Sequence, residues 1–187
     1  LMSRAPLCLV TGEIGAAKTT LVHELLRALG EDVRVGLISN ASGLRGEVLH
    51  WVLMALRQNT ANGSGHADLF AAFQSYLIAE YAAGRRVVLI FDEAQTLALA
   101  KLEELRMLTN INTGTDTLLQ IILVGQPELR DTVLRPEMAQ LAQRTAASVH
   151  LSPLGAEATR AYVRHRLEKA GARRPLFDDV ALSQVHA

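Results

Sequence analysis

Five short apolar runs recur along the chain: PLCLV at 6–10, VRVGLIS at 33–39, RVVLIF at 86–91, LLQIILV at 118–124 and ASVHL at 147–151. Each is short enough for a strand. Three are nearly continuous in apolar residues, the pattern of strands buried on both faces of a parallel sheet. The stretches between them carry helical spacing, over about 18–29, 44–57, 67–83, 98–112 and 127–142. In the fourth, Leu102, Leu105 and Leu108 form a stripe on one face. Strands alternating with helices predict right-handed crossovers and a doubly wound α/β domain. The clearest loop is QNTANGSGH, 58–66.

Beyond about residue 152 the strand pattern stops. SPLGAEATRAYVRHRLEKAG reads as a loop and a helix ended by Gly171, and FDDVALSQVHA opens a further helix with Asp178 or Asp179 placed to cap it. We therefore divide the chain into an α/β core, 1–152, and the start of a small helical subdomain, 153–187. The chain opens on Leu1, about five residues before its first strand, and reads as a piece of a longer protein.

Composition narrows the function. The chain has 187 residues, 49% of them hydrophobic and 20% charged, with a formal net charge of zero. That is a globular composition without the basic excess of a domain that coats nucleic acid. Cys8, the lone cysteine, reads as a small buried hydrophobe. No apolar run approaches the roughly 18 residues of a membrane span, and no leader pattern opens the chain. A cytoplasmic location is the expectation. NAS at 40–42 and NGS at 62–64 read as turns, not glycosylation sites.

Two stretches carry the candidate chemistry. The first is GEIGAAKTT, 12–20. It lies between a buried strand and a helix, where a phosphate-binding loop belongs. Gly12, Glu13, Ile14, Gly15, Ala16, Ala17, Lys18, Thr19 and Thr20 would line the nucleotide. Backbone N–H groups and the helix N-terminus would face the phosphates, Lys18 would reach the β- and γ-phosphates, and the Thr19 hydroxyl would bind Mg²⁺. The position before the lysine is normally glycine; here it is Ala17. A methyl group is tolerable there when the residue already has helical φ/ψ as the helix begins, and only a requirement for φ > 0 would exclude it.

The second stretch is RVVLIFDEAQ, 86–95. Its acidic pair ends a strand, at the edge where open α/β sheets bind ligands. Asp92 would hold Mg²⁺ and Glu93 would polarise the attacking water. A strand inserted between the two motif strands, as in hydrolysing ATPases, completes the expectation. Gln126, after the fourth strand, would contact the γ-phosphate or orient the water. The six histidines, His23, His50, His66, His150, His165 and His186, show no metal-ligand spacing.

DEAQTLALAKLEELRMLTNINTGTDTLLQIILVGQPELRD, followed by QLAQRT, LSPL and YVRHRLEKAG, resembles the GspA-like AAA+ ATPases of general secretion systems over about residues 5–185. The resemblance implies a five-stranded parallel sheet of order 5-1-4-3-2 flanked by helices, with the beginning of a C-terminal lid. It implies ATP and Mg²⁺ as cofactors, a homo-oligomer in the full-length protein, and a protein partner in a secretion or pilus machine. It also implies that Arg144, just before the fifth strand, reaches into a neighbouring subunit's nucleotide. Members of this group usually carry a segment before the first strand and a lid with a sensor arginine, neither of which is seen in these residues. Similar ATPases serve transposition, so an oligomer working with a transposase on DNA is an alternative, with Arg85, Arg86, Arg173 and Arg174 as candidate contacts. A P-loop transferase acting on a small molecule is a third reading; no polar constellation supplies its substrate pocket.

Overall fold

A computed structural model describes residues 6–39, 46–59, 65–113, 116–172, 174 and 176–186. Two compact units divide between Leu151 and Ser152. The first contains β1 (Leu7–Gly12), α1 (Lys18–Ala28), β2 (Val33–Ile38), α2 (Val48–Ala55), α3 (His66–Ala82) and β3 (Arg86–Phe91). It continues with α4 (Leu99–Leu108), β4 (Leu119–Gly125), α5 (Pro127–Val133), α6 (Ala139–Arg144) and β5 (Thr145–Leu151). The sheet runs β2-β3-β4-β1-β5, with every pairing parallel. This is the expected order.

The apolar runs explain the layering. All seven residues of β4 are buried, as are the last five of β3. Alternate side chains of these strands feed two cores. Leu89, Phe91, Ile121 and Leu123 pack with Trp51, Phe73, Leu77, Leu102, Leu105 and Leu129 from the helices on one face. Val88, Ile90, Ile122 and Val124 pack with Val22 of α1 on the other. Each fully buried side chain of this size contributes roughly 1.5–3 kcal/mol of transfer free energy. The stripe Leu102, Leu105 and Leu108 is core, as expected. Cys8 lies half-buried in β1, where burial pushes its thiol pKa up and keeps it a poor nucleophile.

Three boundaries differ from the sequence reading. The helix expected over 127–142 breaks in two, because Arg135 before Pro136 is extended (φ −64°, ψ 147°) and a 3-10 turn covers Pro136–Met138. The helix expected over 98–112 stops at Leu108, where the Thr109 hydroxyl donates to the Arg106 carbonyl at 2.6 Å. The helix expected over 44–57 is Val48–Ala55, ended by Arg57 at φ 58°. Residues 44 and 45, the NAS and NGS stretches and Arg173 lie outside the described residues.

The second unit carries α7 (Ala156–Lys169) and α8 (Asp179–His186). Gly171, at φ 90°, closes α7, and its N–H bonds the Glu168 carbonyl at 2.9 Å. Asp178 caps α8: its Oδ1 accepts from the Ala181 N–H at 2.8 Å. Arg164 donates to Asp179 at 2.9 Å, tying the two helices together. Among the described residues, no helix is long and apolar enough to cross a membrane.

Candidate nucleotide site

The site forms at the C-terminal edge of the sheet. Strand register sets its parts along one edge. Thr11 pairs with Gly125, so Gly12 and Gln126 emerge together. Phe91 pairs with Leu123, so Asp92 and Glu93 emerge one strand further on. With β4 between them, β1 and β3 run about 10 Å apart. Thr11 is buried, and its Oγ1 lies 3.1 Å from Nδ1 of His150 on β5.

Gly12 ends β1 under close constraint. A Cβ there would fall 2.8 Å from the Leu151 carbonyl oxygen and 3.2 Å from the Ala16 Cβ. The chain then turns back on itself, with the Ala16 N–H donating to the Glu13 carbonyl at 3.0 Å. Gly15 takes φ 84°, and Ile14 stands 82% exposed at the loop tip. Lys18 opens α1 and folds its side chain under the loop. Its Nζ donates to the Gly12 carbonyl at 2.8 Å and to the Glu13 carbonyl at 2.9 Å, and the residue is only 7% exposed. An ammonium has three donors, so one remains for a phosphate oxygen. Thr19 and Thr20 are exposed on the first turn. No side chain caps this helix, leaving its first N–H groups as an anion-binding end.

Ala17 corrects the expectation. It takes the left-handed conformation, φ 59° and ψ 27°, not the right-handed helical one. A requirement for φ > 0 was held to exclude alanine, and that was too strict. An L-residue pays roughly 1–2 kcal/mol in this region, a strain the surrounding loop and helix hold in place.

Asp92 is 8% exposed, and its Oδ1 accepts from the Glu93 N–H at 3.0 Å. Glu93 itself is left-handed, at φ 57° and ψ 36°. Both left-handed non-glycine residues of the cluster thus sit beside a charged side chain, Ala17 before Lys18 and Glu93 after Asp92. Gln126 is the N-cap residue of α5, its side chain only partly buried. Gln95 was not anticipated. Its Nε2 donates to Glu93 Oε2 at 2.7 Å and its Oε1 accepts from the Gln126 N–H at 3.1 Å. The readable trace was the glycine before Gln126: a Cβ at Gly125 would lie 2.6 Å from Gln95 Oε1.

Arg144 is not part of this cluster. It precedes Thr145, which pairs with Leu7 at the opposite edge of the sheet. Five residues of strand, about 17 Å, separate that edge from Gly12. There Arg144 donates to the Thr109 carbonyl at 3.3 Å and to Asn110 Oδ1. Arg106, Gln140 and Gln143 line the same cleft.

The residues fit a magnesium nucleotide. A buried lysine, a loop turned by Gly15 at φ 84° and an uncapped helix end suit phosphates. A Thr hydroxyl with one carboxylate suits a cation that shares phosphate oxygens. Among the described residues, no cluster of three or more His, Cys, Asp or Glu forms an all-protein metal cage.

The chain belongs to the AAA domain family, whose model matches residues 1–133. It is 40% identical over 178 residues to General secretion pathway protein A of Aeromonas hydrophila, covering 95% of this chain and 32% of that protein. The chain thus spans about a third of that relative's length. Among solved structures, Cdc6p of Pyrobaculum aerophilum shares the fold with a TM-score of 0.76, at 16% identity over 97% of this chain and 48% of its own. The ORC2 protein of Aeropyrum pernix, solved with ADPNP and ADP, gives 0.70 at 17% identity over 88% of this chain and 46% of its own. The expected fold and the resemblance to secretion-pathway ATPases both stand.

Proposed function

We propose that this chain binds Mg·ATP and hydrolyses it to ADP and phosphate, as the motor core of a longer protein serving a secretion machine. The observation that carries the reading is the arrangement at one sheet edge: β1 leads into the loop under which Lys18 is tucked, and β3, one strand away across β4, ends in the Asp92–Glu93 pair. Lys18 and the open end of α1 hold the β- and γ-phosphates. Thr19 and Asp92 hold the magnesium ion, which when bound neutralises charge on the phosphate oxygens. Glu93 accepts the proton of the attacking water as its oxygen bonds the γ-phosphorus. The bond from that phosphorus to the β–γ bridging oxygen breaks, and ADP departs with the electron pair. Gln126 orients the water or the γ-phosphate.

Arg144 serves a neighbouring subunit in this scheme. Its place at the far edge of the sheet supports action in trans, since it is remote from its own loop. Residues 153–187 are read as the beginning of a lid. The secretion partner is proposed from the 40% identity to General secretion pathway protein A. Of the candidate contacts in the DNA-tracking alternative, Arg85 pairs with Glu80 and Arg86 with Asp32 at 3.2 Å.

The test is nucleotide binding by titration calorimetry. The chain should bind ATP in the presence of Mg²⁺, and Lys18→Ala should abolish detectable binding while retaining the folded circular dichroism spectrum. Equal affinity in the two proteins would remove the proposed phosphate site.

A further inference from the structure

We propose that Gln95 is a positioning residue for Glu93, locking its carboxylate to the end of β4. The inference rests on the reading of Glu93 as the group that accepts the water's proton. A backbone N–H can only donate, so the Gln95 oxygen must face Gln126. The amide nitrogen is then forced toward Glu93, whose carboxylate can only accept when ionised. The two distances, 3.1 Å and 2.7 Å, match that orientation. No other orientation of the amide satisfies both neighbours.

The surroundings are built for this bridge. Gln95 lies in the 3-10 turn Ala94–Thr96, directly after the left-handed Glu93. The Thr96 hydroxyl donates to the Glu93 carbonyl at 2.8 Å and fixes the same turn. Gly125 leaves room for the amide: a Cβ there would stand 2.6 Å from Gln95 Oε1 and 3.2 Å from the Gln95 nitrogen. One Glu93 oxygen is therefore anchored and the other is directed by it. The anchor runs to the backbone of Gln126, the residue read as contacting the γ-phosphate or the water.

The test is steady-state and single-turnover ATP hydrolysis on five proteins: the parent, Gln95→Leu, Gln95→Glu, Glu93→Gln, and Gln95→Leu made in the Glu93→Gln background. Gln95→Glu keeps size and the acceptor toward Gln126, but when ionised it replaces the donor to Glu93 with an acceptor and sets a like charge beside that carboxylate. Both Gln95 variants should lower kcat about 10²-fold, the scale of a misplaced catalytic group, with KM for ATP within about twofold of the parent. In the Glu93→Gln background, Gln95→Leu should change the residual single-turnover rate by less than about twofold, because its target has gone. If Glu93→Gln is inactive and both Gln95 variants turn over like the parent, the positioning role is overturned while the reading of Glu93 stands. An additive loss in the Glu93→Gln background overturns it too, by showing that Gln95 acts elsewhere. If Glu93→Gln itself hydrolyses normally, the underlying reading fails first. Should Gln95→Leu not fold, Gln95→Met, which is similar in size and adds no charge, decides in its place.

Discussion

Replacing Ala17 with glycine tests the unusual backbone of the phosphate loop. Ala17 sits at φ 59° and ψ 27°, immediately before α1. There an L-residue is disfavoured by roughly 1–2 kcal/mol relative to the right-handed region, whereas glycine is not. Glycine also gives the unfolded chain more freedom, which offsets about 0.4–1 kcal/mol. The Ala17 side chain is exposed, so no packing is lost. Ala17→Gly should therefore stabilise the chain by about 0.5–1 kcal/mol. Thermal and urea unfolding should both register it, with Tm rising about 1–4 °C for a chain of this size. Ala17→Val should move the other way, because a branched side chain is a severe outlier there. Affinity for ATP should gain no more than about fivefold on restoring glycine, since relief of about 1 kcal/mol permits no more. A neutral or destabilising glycine would show that Ala17 is not left-handed. A gain well beyond tenfold would show that the alanine impairs the loop itself.

Other consequences follow from individual contacts. Gly125→Ala should cost about 1–3 kcal/mol by overpacking against Gln95 and Leu129, and turnover should fall with it as the Gln95 bridge is displaced; unchanged unfolding and kinetics would contradict the close approach. Glu80 is held below the usual carboxylate range, first by its hydrogen bond to Arg85 and further by Arg34. Its folded pKa being depressed, the contribution is present above the ordinary value of 4.5 and lost as pH falls through the folded value. The stability difference between the parent and Glu80→Gln should accordingly be constant above about pH 6 and shrink in acid, as read by urea unfolding across pH. An Arg144→Ala and Glu93→Gln mixture should regain activity that neither variant has alone, assayed on a longer chain that oligomerises. Mixed oligomers that stay inactive would rule out a shared site.

The strands were legible because β3 and β4 are buried on both faces, and only continuous apolar runs satisfy that. The loop 12–20 and the pair Asp92–Glu93 stood out because each follows an apolar run, and the structure sets both at strand ends. Sheet order came from the family resemblance, not from periodicity. What escaped depends on contacts distant in sequence or on backbone strain. The break at Pro136 was visible in the sequence but passed over within a long polar–apolar pattern. The left-handed Ala17 is imposed by closure of a loop around Lys18, which no propensity of alanine predicts. Gln95 acquires its role only through Gln126, 31 residues away, and its one local trace is the glycine at the end of a buried strand. Arg144 takes its proposed role from the family resemblance, and the structure adds only its place at the opposite edge of the sheet.

The most direct measurement of the central claim is a comparison of ATP binding and turnover in Glu93→Gln. An amide retains the size of the carboxylate but cannot accept the water's proton as a carboxylate does. The account predicts that this variant binds Mg·ATP with parental affinity and retains it as uncleaved ATP, while the parent converts it to ADP and phosphate. Parental turnover in Glu93→Gln, or loss of ATP binding along with turnover, would contradict it.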